Sequence, residues 1–230
     1  MNHKNFIAPS QREVRIGAVY MVAQMSILPR LVLDVCAALN LNFSAAEINV
    51  IFFLINFGAV TLIFRNFLKR TFFSAKNGLF QLFFAVLQGF GIKWLGDLLV
   101  DMLIYRINPD FVNVNDASIL AMLEGNFLPL AICTVFFVPI AEELLYRGVL
   151  FGGFFKRSPA LAFFFSTIIF CAIHVLGYIE KYPLDTLLLC YIQYIPTSIA
   201  FGFAYGTSGS IFAPMLMHII INASGILVLR

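Results

Sequence analysis

The chain is 230 residues long; 61% of its residues are hydrophobic, 12% are charged, and its mean hydropathy is +0.91. This composition excludes an ordinary soluble domain, in which about half of the residues are apolar and about a quarter are charged. The formal net charge of +3 comes without a dense basic stripe, so we expect no nucleic-acid partner. We therefore predict one integral-membrane domain over residues 1–230, an all-α polytopic helix bundle in the lipid bilayer.

Apolar runs separated by charged or Gly/Pro/Asn-rich joints predict about seven membrane spans. In chain order these runs lie near residues 15–39, 47–65, 79–104, 119–154, 160–178, 184–206 and 209–229. Polar residues interrupt the first run, so an interfacial helix is the alternative there. The fourth run is too long to cross a bilayer straight, and we expect a kink at Pro139.

Lysine and arginine in the predicted loops indicate the orientation of the chain. They concentrate in the N-terminal segment and in the joints near residues 65–76 and 156–157, which share one side if the spans alternate. We predict that this side, with the N-terminus, is cytoplasmic. The N-terminal segment has no compact apolar core before a small-residue cleavage site, so we expect no removed signal peptide.

Three strongly polar residues, Glu142, Glu143 and Arg147, interrupt the fourth apolar run. An ionisable group at membrane depth costs roughly 2.5 kcal/mol or more, so it usually faces the bundle interior and has a function there. Residues four apart share a helix face, so we expect Glu143 and Arg147 to pair and Glu142 to point elsewhere. Glu142 is then the candidate general base in a partly dry cavity. Alternatively, all three side chains extend to the cytoplasmic interface.

Two histidines lie in different predicted spans, His174 in the fifth and His218 in the seventh. Phe170 precedes His174 by one helical turn and can hold its imidazole, while Asn222 follows His218 by one turn and supplies an amide. A single membrane histidine is usually a hydrogen-bonding group between helices, which is the alternative for either residue alone. Together with the acidic pair, these residues indicate a buried hydrolytic site.

The ordered motifs Glu-Glu-x-x-x-Arg, Phe-x-x-x-His and His-x-x-x-Asn resemble those of a family of intramembrane proteases. This is the type II CAAX prenyl protease and bacteriocin-processing family, also called the CPBP or Abi family. The resemblance begins near Asn126, within a protease-like core of about residues 119–230, and leaves residues 1–118 as accessory spans. Because the chain is compact, with little loop, it resembles the bacterial members, and we expect it in the bacterial cell membrane.

The resemblance implies an endopeptidase that hydrolyses membrane-associated peptide or protein substrates in a water-filled cavity of the helix bundle. Glu142 and His174 would activate the water. His218 and Asn222 would bind the oxyanion of the peptide carbonyl. The supporting residues would be Glu143, Arg147 and Phe170.

Zinc is an open alternative in such a site, with Glu142, His174 and His218 as its ligands. Thermolysin-like zinc sites place two histidines four apart on one helix with the base between them, whereas these histidines lie on different spans. We therefore favour water activated by glutamate without a bound cofactor.

Functions of other classes also fit the sequence. One is a non-proteolytic membrane scaffold or bacteriocin-immunity protein of the same fold. Another is a small transporter, for which the ladder Lys93, Asp97 and Asp101 in the third span provides an ion path, although such a ladder is more often a self-neutralised stripe. We interpret Tyr194, in the sixth predicted span, as a core or interface group. Self-association into a homo-oligomer is left open.

Overall fold

Helices dominate the computed structural model, which describes residues 6–123 and 128–228. Within these ranges there is no strand, which confirms the predicted all-helical fold class. The helices are α1 (Gln11–Ser26), α2 (Leu28–Ala38), α3 (Ala45–Ile63), α4 (Arg65–Asn77), α5 (Leu79–Ile107), α6 (Val114–Leu123), α7 (Leu128–Phe154), α8 (Pro159–Leu176), α9 (Leu184–Gln193), α10 (Ile195–Ser208) and α11 (Phe212–Val228).

Five helical units in the described ranges are long and apolar enough to cross a membrane: α3, α5, α7, α8, and α9 with α10 taken together. The count becomes six if α1 and α2, which are bent by 53°, form one span. The last predicted span, 209–229, corresponds to α11, a shorter apolar helix of 17 residues. The chain is thus an integral membrane protein with five or six such units, and seven spans stay a prediction.

Capping residues determine where several helices begin. Ser10 and Glu13 form a capping box at the start of α1, and Ser44 and Glu47 form another at the start of α3. Ser158 caps α8, whose first residue is Pro159, a residue suited to that position because its missing N–H would have no helical partner.

Helix α4 occupies a region that the sequence pattern predicts as a joint. Phe67 and Thr71 on one face of α4 are fully buried, whereas Phe72 is 58% exposed. Basic residues between these aromatic ones break the apolar pattern that marks a span, so only the packing of one face reveals the helix.

The centre of the bundle is formed by α7 and α10. Within their most apolar 18-residue windows, 44% of α7 and 50% of the α9–α10 unit are buried, against 11% of α3. Close approach of α10 to α5 depends on Gly96, where a Cβ atom would lie 2.7 Å from Cβ of Pro196. The polar motif of α7 is therefore carried by the most central part of the fold.

Basic segments meet at one end of the bundle. Glu13 of α1 forms an ion pair with Arg70 of α4, with 3.1 Å between Oε2 and Nη2. The ring of Phe6 lies 4.4 Å from that of Phe155, in the turn between α7 and α8. The N-terminal segment, α4 and this turn therefore share one end, as their placement on one side of the membrane requires. The identity of that side stays a prediction.

Cysteine-accessibility labelling tests the orientation. In a background without the four native cysteines, single cysteines at the exposed positions of Lys69 and Arg157 should react from the cytoplasm, because basic loops are retained there. Cysteines at the exposed positions of Asp110 and Lys181 should react from the outside. Labelling of positions 69 and 157 from opposite sides of the membrane would contradict the topology.

Candidate active site

Helix α7 departs from α-helical geometry in two stretches, Cys133–Phe137 and Glu143–Phe151, which are π-helical. In a π-helix a carbonyl accepts from the N–H five residues later, which for Thr134 is the position of Pro139, and proline has no N–H. The Thr134 carbonyl instead accepts a hydrogen bond from Nδ2 of Asn222, at 2.8 Å. Pro139, where we expected a kink, thus follows a π-helical turn that frees a carbonyl for a side chain.

The ion pair predicted between Glu143 and Arg147 is present. Nη1 of Arg147 donates to Oε1 of Glu143 at 3.2 Å, and both side chains are 0% exposed. The guanidinium also donates to the hydroxyl oxygen of Ser198 at 3.0 Å and to its carbonyl oxygen at 3.3 Å. Its carbon lies 4.1 Å from the ring centroid of Phe170 and 4.9 Å from that of Phe201, so two aromatic faces enclose it.

His218 of α11 is oriented by Glu143. Nδ1 of His218 lies 2.9 Å from Oε1 of Glu143, and an ionised carboxylate only accepts hydrogen bonds, so Nδ1 carries the proton. Nε2 then faces Glu142, with 3.9 Å between Nε2 and Oε2. The ring of Phe201 packs on the imidazole, with 4.9 Å between the centroids. His218 therefore lies between the two adjacent glutamates.

His174 of α8 is oriented by a backbone carbonyl. Its Nδ1 lies 2.7 Å from the carbonyl oxygen of Phe170, which can only accept, so Nδ1–H is the donor and Nε2 is left for other contacts. The ring of Phe170 lies 4.6 Å from the imidazole, and the ring of Tyr194 lies 4.1 Å from it. Phe170 therefore holds the imidazole, as its position one turn earlier predicts.

The four candidate catalytic side chains line one pocket of about 570 Å³. They project from α7, α8 and α11 and are Glu142, His174, His218 and Asn222. The side chain of Glu142 is 19% exposed, and among the described residues nothing hydrogen-bonds to its buried Oε2. Glu143 and Arg147 lie fully buried behind it. The two glutamates therefore point in different directions, one into the pocket and one into the protein.

The lining of this pocket includes further polar residues that sequence reasoning did not assign to the site. They are Asn113, Asn115, Asp116, Gln193 and Tyr194. The ladder Lys93, Asp97 and Asp101 lines the same pocket, and Lys93 forms an ion pair with Asp97. No sequence signal marks Tyr194 as a site residue, because its polar contacts come from residues about 80 positions earlier in the chain.

A zinc site would need Glu142, His174 and His218 to converge on one ion. Within residues 6–123 and 128–228, no group of three His, Cys, Asp or Glu side chains is placed to hold a metal ion. Both nitrogens of His218 already face carboxylates, Nδ1 towards Glu143 and Nε2 towards Glu142. As placed here, the described side chains do not form a set of three metal ligands.

Comparison with known proteins agrees with the motifs. Residues 124–224 match the family model described as type II CAAX prenyl endopeptidase Rce1-like. The chain is also similar to the uncharacterized protein YpbD of Bacillus subtilis, with 26% identity over 126 residues, which cover 55% of this chain and 59% of that protein. No solved structure matches. The region that carries Glu142, His174, His218 and Asn222 is therefore similar to the Rce1-like type II CAAX prenyl endopeptidases.

Proposed function

We propose that this protein is an intramembrane endopeptidase that hydrolyses peptide bonds of membrane-associated peptides or proteins. One observation carries the proposal: the polar side chains of three separate motifs line a single pocket within an apolar bundle. Ionisable groups at membrane depth are costly, and their convergence from three helices is difficult to explain by packing alone. The family match to residues 124–224 supports the same class of reaction.

Activation of water is assigned to Glu142 and His174. Both line the pocket, and each offers an acceptor: the Glu142 carboxylate, and Nε2 of His174, whose Nδ1–H is engaged by the Phe170 carbonyl. A water between them donates its hydrogens to these acceptors and directs a lone pair at the peptide carbonyl carbon. Glu142 takes the proton as the new carbon–oxygen bond forms.

Stabilisation of the oxyanion is assigned to His218 and Asn222. Nδ2 of Asn222 has two N–H groups, of which one donates to the Thr134 carbonyl, so the second is left for the oxyanion. His218 donates through Nε2 in its doubly protonated form, while Glu143 holds Nδ1–H. When the carbon–nitrogen bond breaks, Glu142 returns its proton to the leaving amine, which gives a free amine and a carboxylic acid that loses its remaining proton to water.

Direct detection of hydrolysis tests the proposal. Purified protein in nanodiscs is incubated with a panel of membrane-tethered peptides in water enriched in ¹⁸O, and the products are analysed by mass spectrometry. We expect cleavage with one ¹⁸O atom in each new carboxylate. Absence of cleavage by folded protein across the panel would favour the non-proteolytic scaffold or immunity function instead.

The variant Asn222→Ala should lower kcat by roughly 10²-fold or more with little change in KM, because an oxyanion donor acts most strongly as charge develops. The matched control is Asn66→Ala, at an exposed position of α4. The thermal midpoint of both variants must be measured, since the Thr134 carbonyl also loses its donor. An effect of Asn222→Ala on KM alone would contradict the oxyanion role.

Metal removal should leave activity unchanged, because Glu142 and His174 activate the water without a metal. The measurement is peptide cleavage by the purified protein before and after dialysis against a chelator, with elemental analysis of both samples. About one zinc per chain that is lost in both His174→Ala and His218→Ala, and that restores activity when returned, would overturn the metal-free mechanism.

A further inference from the structure

Two aromatic rings contact the imidazole of His174, and of these only Phe170 belongs to a family motif. The other ring, Tyr194, is the last residue before α10 and contacts the imidazole with ring centroids 4.1 Å apart and an angle of 30° between the planes. Phe170 is inclined by 52° at 4.6 Å. Tyr194 is therefore the ring that lies more nearly parallel to the imidazole.

The hydroxyl group of Tyr194 is held by a segment at the start of α6. It donates to Oδ1 of Asp116 at 2.8 Å and accepts from Nδ2 of Asn115 at 3.1 Å. Nδ2 of Asn113 donates to Oε1 of Gln193, next to Tyr194, at 2.8 Å. Side chains of Asn113, Asn115 and Asp116 thus contact the last residue of α9 and the residue that joins α9 to α10.

The anchored ring of Tyr194 restricts the orientation of the His174 imidazole. The bond from Nδ1 to the Phe170 carbonyl fixes one atom of the imidazole but leaves the plane of the ring free to tilt about that bond. The Tyr194 ring, inclined by 30° at 4.1 Å and itself anchored through its hydroxyl, blocks that tilt. Nε2, the atom that would accept a hydrogen bond from the attacking water, is thereby kept in one direction.

We propose that Tyr194, anchored by Asp116 and Asn115, is a positioning residue that holds the His174 imidazole for catalysis. The inference rests on the proposed function of His174. It assigns part of the site to residues 113–116, which precede the region matched by the family. Residues 113–116 are then part of the site, and substitutions there would change kcat although every motif residue is kept.

The kinetics of Tyr194 variants test this positioning role. Tyr194→Leu should lower kcat by roughly 10–10²-fold with little change in KM, because small misplacement of a catalytic group is costly. Tyr194→Phe, which keeps the ring, should recover much of this loss. The control is Tyr105→Phe, at a side chain that is 66% exposed. Unchanged kcat in folded Tyr194→Leu would overturn the proposal.

A second variant separates positioning from general destabilisation. Asp116→Ala should lower kcat in the wild-type background but have no added effect in Tyr194→Phe, since the hydroxyl it anchors is already absent. Equal effects of Asp116→Ala in both backgrounds would show that Asp116 acts independently of Tyr194 and would contradict the proposal.

Histidine NMR provides a readout that does not depend on activity. The chain has three histidines, and the His174 resonance is assigned with a His174→Gln variant. Loss of the Tyr194 ring current should shift the His174 signals in Tyr194→Leu and leave those of His218 in place. An unchanged His174 signal would disprove the ring contact. Absence of cleavage by wild type would instead reject the proposed function, while this shift still tests the contact.

Discussion

Glu142→Gln is expected to lower peptide hydrolysis by roughly 10²–10⁴-fold while the protein remains folded and inserted. The amide keeps the volume of the carboxylate and can still form hydrogen bonds, but it cannot accept the proton of the attacking water. Because Oε2 of Glu142 has no hydrogen-bond partner among the described residues, the substitution breaks no bond seen in the structure. The measurement is single-turnover cleavage, with the thermal midpoint recorded in parallel.

The matched control for this experiment is Glu180→Gln. Glu180 is exposed in the turn after α8, so its neutralisation should leave both cleavage and the thermal midpoint unchanged. Near-normal cleavage by Glu142→Gln would reject Glu142 as the base. Loss of the folded state in that variant would mean that Glu142 has a structural role that its contacts do not reveal.

Arg147→Ala is expected to destabilise the fold by about 3–5 kcal/mol, because it leaves the buried Glu143 carboxylate without its cationic partner. The guanidinium also bonds Ser198 and fills the space between Phe170 and Phe201, so its removal leaves a cavity as well. Glu143→Gln should be milder, since the amide oxygen can still accept from Arg147. The measurement is unfolding in detergent, with folded yield as a second readout.

A double substitution distinguishes lost charge pairing from lost packing. Glu143→Gln combined with Arg147→Ala removes both charges of the ion pair, so its effect should be smaller than the sum of the two single effects. The control is Arg157→Ala, at an exposed position after α7. Wild-type stability of Arg147→Ala would contradict the structural role of the pair.

The sequence alone predicted the membrane class, the all-helical fold and the pairing of Glu143 with Arg147. These features depend on local physics: apolar runs partition into lipid, and residues four apart share a helix face. The same spacing linked Phe170 to His174 and separated the direction of Glu142 from that of Glu143. Motif order and type then indicated the family, which residues 124–224 match.

Only the tertiary structure decided which groups meet across the bundle. The bond from Asn222 to Thr134 and the contact of His218 with both glutamates join α11 to α7, far apart in the chain. The π-helical turns of α7 lie on the same segment that these contacts use. The position of Tyr194 on His174, held from α6, arises in the same way. Periodicity reports which face of a helix is apolar, but it contains no information on which neighbour covers that face, because packing between distant segments selects the partner.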